Sequence, residues 1–388
     1  MALYSQVLLD VPAGLQAEPL EITPDTVGGP ARGYRVRLQS LRGGVSDGVD
    51  LIHVDNGTLA FTVIPTRGMG VWKARRGDLA IGWESPVRGP VHPRHVPLGE
   101  PGGLGWLDGF DELLVRCGLQ SNGASEIDPV SRQWLPMHGR IANLPASHVT
   151  VTVDGATGEI AVTGVVAEVR FFFVNLRLTS TIRTRVGQPG FTVHDEIENL
   201  ATAPAPMQLL YHINFGAPLL GEGARLHVPA LRVAPRDAAS ARRIDGWDRY
   251  PAPTAGLPEE VFFLTLAADA GHRTRALLCD AAGRRGVSLG YDVRQLPWFT
   301  LWKNPAPLAD GYVTGLEPGT NFPNARSFER GEGRVVMLPG GGRAVFDLEL
   351  TAHVTADEVS AAGRAVAQLA AGRVPEVLRT PQPGWSAV

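Results

Sequence analysis

The chain has 388 residues, 44% hydrophobic and 19% charged, with a formal net charge of −3. This is globular composition with length for a large core, and its mixed charges exclude the basic footprint of a nucleic-acid binder. Its two cysteines, Cys117 and Cys279, are too few for a disulfide framework and are expected as buried thiols.

The start, "MALYSQVLLDVPAG", lacks a basic leader and meets Asp10 early. No apolar run approaches the roughly 18 residues of a membrane span. A soluble, cytoplasmic protein with no membrane partner is expected. "LIHVDNGTLAFTVIP" reads as two strands around Asn56-Gly57. Residues 85–105 are loop by composition, and a loop of that length in a compact fold is often functional. "HVTVTVDGATGEIAVTGVVAEVRFFFVNLRLTSTIRTRV" reads as three strands with a turn at Asp154-Gly155. "FTVHDEIENL", "PMQLLYHINFG", "RALLCD", "GYVTGLEP", "GRVVMLPGG" and "RAVFDLELTAHV" continue the pattern. Many short strands between Gly, Pro, Asn and Asp turns predict an all-β sandwich. One helix is expected over about 356–371. Thr355 and Glu358 form a capping box at its start, and Gly372 ends it as a lid or buttress.

Polar residues interrupt this pattern at several places. In "LLYHINFG", alternation puts Leu209, Tyr211, Ile213 and Phe215 on one face, and Leu210, His212 and Asn214 on the other. The second face suits the floor of a polar pocket. "LPMHGRIANLPA" supplies His138 and Arg140 beside Gly139, where a tight turn lets a ligand approach the backbone. In "YVTGLEPGTNFPN", Pro318 holds Glu317 extended at a strand end, as suits a rigid general base. "YDVRQLPWFTLWKN" offers Asp292, Lys303 and Trp302, whose indole could carry a sugar ring. "VIPTRGMGVW" offers Arg67. "HPRH" has metal-like spacing in His92 and His95 but only Glu100 nearby as a third ligand, so no metal is assigned. Asp108, Asp111 and Glu112 in "WLDGFDELL" read as a polar loop edge. No nucleophile elbow, P-loop or dinucleotide fingerprint occurs.

The ordered set "MHGR", "DEIENLATAPAPMQLLYHINFG" and "GLEPGTNFPN" resembles the aldose 1-epimerase (galactose mutarotase) family over about residues 50–350, in its uncharacterised aldose 1-epimerase-like branch. The resemblance implies a single domain over 1–388, a β-supersandwich of large antiparallel sheets with a sugar cleft on one face. It implies His212 as general acid, Glu317 as general base and His138 as a substrate-positioning histidine, with no cofactor. It also implies a sugar-binding arginine and aspartate. Arg67, Arg116 and Arg140 are open candidates for the first, and Asp292 for the second. Asn214, Trp302 and Lys303 complete the expected binding set. Where the family has a second glycine after the histidine, this chain has Arg140.

The expected function is interconversion of sugar anomers by ring opening and closure, with a small carbohydrate as partner. Two rivals stand beside it. One is a non-catalytic carbohydrate-binding or regulatory protein on the same fold. The other is a lyase or isomerase acting on a sugar acid, which Arg140, Lys303 and Arg326 would suit as cations. Exposed strand edges on a large sandwich admit a homodimer.

Overall fold

A computed structural model describes residues 3–387. Two large sheets, of ten and fourteen strands, hold nearly all the strands. Their pairings are antiparallel except for one short parallel contact, Arg232 with Glu376 and Val233 with Val377. The all-β architecture of large antiparallel sheets expected from the turn-punctuated sequence is therefore the observed one.

In the ten-stranded sheet, His148–Asp154, Glu159–Arg170 and Val174–Arg185 form the expected three-stranded meander. Its longest hairpin keeps register from Glu159 opposite Arg185 to Arg170 opposite Val174. In the fourteen-stranded sheet, Asp50–Asp55 and Ala60–Ile64 flank Asn56-Gly57 as expected. The Asn56 carboxamide oxygen accepts from the Thr58 and Leu59 amides, and Gly57 takes φ 85°. This is local turn chemistry encoded in sequence.

The centre of the fourteen-stranded sheet runs, in spatial order, Leu114–Leu119, Ala205–Phe215, Val313–Gly319 and Trp298–Asn304. The Ala205–Phe215 strand is buried on both faces. Leu209, Tyr211, Ile213 and Phe215 enter the main core shared with Leu176, Leu178 and Ile197 of the other sheet. Each such side chain contributes about 1.5–3 kcal/mol on full burial. Leu210 points the other way, into a second apolar cluster with Trp83, Trp106 and Phe110. His212 and Asn214 share that second face.

The C-terminal helix spans Ala356–Ala370 and lays Val359, Ala362 and Val366 on Leu277 and Cys279 of the ten-stranded sheet. It buttresses that sheet and does not cover the His212 strand. Thr355 caps it as expected, accepting from the Glu358 amide at 3.3 Å. The reciprocal half differs: Glu358 accepts from the Val354 amide at 2.7 Å and pairs with Arg76 at 2.7 Å. Both cysteines are free and buried. Among the described residues, no helix is long and apolar enough to cross a membrane.

Candidate active site

Strand register brings the central residues together. Ile213 lies opposite Leu316 and Asn214 opposite Gly315. One step back, His212 therefore faces Glu317, whose other neighbour is Thr300. His212 Nε2 and Glu317 Oε1 are 3.1 Å apart. The approach is off the line of a hydrogen bond, and Glu317 Oε1 has no hydrogen-bonding partner. Gly315 makes the room: a Cβ there would overlap Glu317 Oε1 and come within 2.9 Å of His212 Cε1.

Asn214 fixes the imidazole. Its Nδ2 donates to the Glu112 carbonyl at 2.9 Å, leaving its Oδ1 to accept from His212 Nδ1–H at 2.7 Å. In the neutral ring, the Nε2 lone pair then faces Glu317. Burial pushes His212 down to about 3, and the neighbouring His138 ring adds to the effect. Burial pushes Glu317 well above the carboxylate range, with Glu259 adding. Both shifts disfavour charge, so the pair shares one proton and is neutral.

A cavity of about 240 Å³ opens over the pair. His138 lies in its wall, its ring centroid 5.6 Å from that of His212 and 4.6 Å from that of Trp106. The backbone at His138 is left-handed at φ 55°, and Gly139 follows at φ 72°. Only glycine fits the second position, where a Cβ would overlap the Ser121 and Gly118 carbonyl oxygens. Phe110 and Trp302 complete the aromatic walls around His212, at centroid distances of 5.0 and 5.4 Å. Trp106 Nε1, His138 Nδ1, Thr300 Oγ1 and Glu317 Oε1 are all buried without hydrogen-bonding partners. All four residues line this one cavity. Orphaned buried polar atoms are rare and costly, and four around one space are groups set to meet a ligand.

His138 carries a checkable consequence. Burial pushes it down to about 4, so it is neutral in the fold while an unfolded histidine, near pH 6.5, takes a proton. Stability contributed by its neutral form is therefore lost as pH falls from about 6.5 to 4, by up to about 1.4 kcal/mol per pH unit. His138→Asn, which tolerates the left-handed backbone, should flatten this slope by about one proton. Urea unfolding between pH 4.5 and 6.5 measures it, and equal slopes would show that His138 is not buried neutral.

The other expected site residues are placed as follows. Asn214 sits behind His212, and Trp302 lines the cavity, donating from Nε1 to Glu259 at 2.9 Å. Arg67 is buried behind the wall, bonded to Glu112 at 2.5 Å, Asn143 at 2.8 Å and the Gly109 carbonyl at 2.8 Å. It anchors the loop that carries Trp106 and Phe110, and it does not line the cavity. Arg116 is buried in an ion pair with Asp195 between the sheets. Arg140 is spent on backbone structure through its amide, which donates to the Gly118 carbonyl, and its side chain lies outside the cavity lining. Asp292 is in the ten-stranded sheet, paired with Arg294 at 2.5 Å. Lys303 is buried 3.6 Å from Glu260, donates to the Gly246 and Arg249 carbonyls, and is pulled down to about 8 by burial. Arg326 pairs with Asp128 at 2.7 Å. Asp111 and Glu112 are buried, unlike the polar loop edge expected; burial raises Asp111 to about 7.

Sequence reading missed Trp106, Phe110, Thr300, Arg236 and Glu259. Thr300 had a signal, since alternation in "WFTLW" puts it on the face of Trp302. Arg236 and Glu259 meet at the cavity mouth at 2.7 Å from well-separated segments, which no local pattern foretells.

A family profile described as a domain of unknown function, DUF4432, matches residues 46–352. No curated protein matches the sequence. A Klebsiella pneumoniae protein provisionally named an aldose 1-epimerase is similar in structure and sequence. It is 33% identical, with a TM-score of 0.95, over 98% of this chain and 99% of its own. A galactose mutarotase-like protein from Clostridium acetobutylicum, 15% identical, shares the fold at a TM-score of 0.57 over 82% of this chain and 98% of its own. An Escherichia coli protein, also provisionally named an aldose 1-epimerase and 12% identical, does so at 0.52 over 79% of this chain and 100% of its own. With the fold, the profile and the Klebsiella relative in agreement, the chain belongs to the DUF4432 family, an aldose 1-epimerase-like branch of the galactose mutarotase-like proteins.

Proposed function

We propose that the protein interconverts the anomers of a neutral monosaccharide by acid–base ring opening and closure. The observation that carries this reading is the His212–Glu317 pair, 3.1 Å apart in a cavity with four unpartnered buried polar groups. The reaction needs one proton removed and one delivered, and this pair holds one proton between two sites.

In the proposed course, the anomeric hydroxyl donates into Glu317 Oε1. That contact favours the carboxylate and moves the resident proton to His212 Nε2. Glu317 then takes the hydroxyl proton while His212 protonates the ring oxygen, and the bond from that oxygen to the anomeric carbon breaks. The aldehyde turns about its first carbon–carbon bond, and closure on the other face reverses both transfers. Asn214 supports the imidazolium by accepting from Nδ1–H, and the Trp302 and Trp106 faces suit the apolar side of a pyranose.

The cavity charges favour a neutral sugar over a sugar acid. Arg236, the cation among its lining residues, is engaged with Glu259 at 2.7 Å and Asp237 at 2.8 Å. The cations that suggested an anionic substrate, Arg140, Lys303 and Arg326, do not line the cavity. The deciding experiment is magnetisation-transfer NMR of anomer exchange over a panel of neutral, acidic and deoxy monosaccharides. Exchange above the buffer rate is expected for at least one neutral sugar. Saturable binding with no exchange for any sugar would instead make the protein a carbohydrate binder.

A further inference from the structure

The hairpin that joins Glu159–Arg170 to Val174–Arg185 turns through Phe171, Phe172 and Phe173. These rings are 79%, 88% and 49% exposed. Three consecutive exposed aromatics are not what a solvated turn needs, since apolar side chains gain nothing from water.

The backbone sharpens the point. The Phe173 amide donates to the Arg170 carbonyl, closing a four-residue turn whose third residue is Phe172. Phe172 has φ 70°, a value that this turn position normally gives to glycine or asparagine. A bulky residue there is strained. The chain therefore keeps its most exposed ring at a place where folding alone would favour its absence.

Beside the rings lies an apolar groove of about 330 Å³, walled by the same phenylalanines and by Ala201, Ala203 and Pro204. One face thus carries both projecting rings and the apolar groove they help to wall, so that a second copy turned through a two-fold axis would meet the same surface. The three rings expose on the order of 430 Å² at about 200 Å² per side chain. With Val169, Leu200 and Met337 exposed in the flanking segments, the apolar area reaches roughly 650 Å², against about 800 Å² per partner in a standard interface. Charge argues against a membrane surface as the occupant. Arg170 is the one basic residue among 165–176, 200–206 and 336–338, where anionic lipid would call for a cluster.

We infer that the Phe171–Phe173 hairpin is the centre of a symmetric homodimer interface, with Phe172 of each copy seated in the other's groove.

Sedimentation velocity of the full chain from 1 to 100 μM tests this, beside Phe172→Gly and Phe171→Ser/Phe173→Ser. The expected result is a wild-type dimer, and variants that stay monomeric to at least tenfold higher concentration with unchanged far-ultraviolet circular dichroism. Phe172→Gly keeps the turn, so its fold is secure. A wild type monomeric at 100 μM overturns the inference, as do variants that dimerise like the wild type. Wild-type monomer that pellets with phosphatidylcholine vesicles would assign the rings to a lipid surface and overturn it too. The association is read without any sugar assay, so it stands or falls apart from the proposed activity.

Discussion

Glu317→Gln is expected to lower catalysed anomer exchange by about 10² to 10⁴-fold, the usual contribution of one positioned acid–base group. The substitution keeps size and hydrogen-bonding shape while removing the proton exchange. Binding should persist, because the aromatic walls and the Thr300, Trp106 and His138 groups are untouched. The variant should also be at least as stable as the wild type at pH 7. Burial raises the Glu317 pKa well above its ordinary value. Its stabilising contribution is therefore full only below the unfolded value of about 4.3 and is lost as pH rises toward the folded value. A neutral amide removes that loss. Rate down and thermal midpoint level or up is the signature of a strained catalytic group. Exchange retained within threefold of the wild type would remove Glu317 from the chemistry, whatever happened to stability.

The fold was legible because its signals are local. Period-two burial in "LLYHINFG" assigns each side chain to a face, and the observed clusters divide along that line. Asn56-Gly57 and the Thr355 cap carry their own turn chemistry. The facing of residues 212 and 317 could be reached through family resemblance, but not from spacing, because strand register between distant segments is set by the whole sheet. The arginines show the opposite difficulty. From sequence, Arg67 and Arg116 are open candidates for the sugar-binding arginine, since arginine is rarely buried unless paired. Their partners, Glu112 and Asp195, lie far along the chain. Nothing local announces that a carboxylate will come from 45 or 79 residues away to meet each one. Arg236 and Glu259 escape for the same reason.

Asp195→Ala should be the most damaging substitution for the fold, at about 3–5 kcal/mol, the cost of stranding one partner of a buried pair. Arg116 and Asp195 have no side-chain exposure. Arg116 reaches across the sheets to Asp195 at 2.5 and 2.9 Å and to Ser180 at 2.7 Å, and it donates to the Met69 carbonyl at 2.7 Å. Tyr211, adjacent to His212, donates to the same carboxylate at 2.7 Å. Removing Asp195 leaves the buried guanidinium without a counter-ion and the Tyr211 hydroxyl without its acceptor. Removing both charges, as Arg116→Met/Asp195→Leu, should recover more than half of the loss, since two apolar groups need no partners. Urea midpoints of the two variants measure the difference. The double variant also separates structure from binding: with Arg116 on the core side of the strand beside His212 and outside the cavity, its sugar affinity should stay within about threefold of the wild type, about 0.65 kcal/mol. A tenfold loss of affinity in a stably folded double variant would put Arg116 back among the groups that touch the sugar.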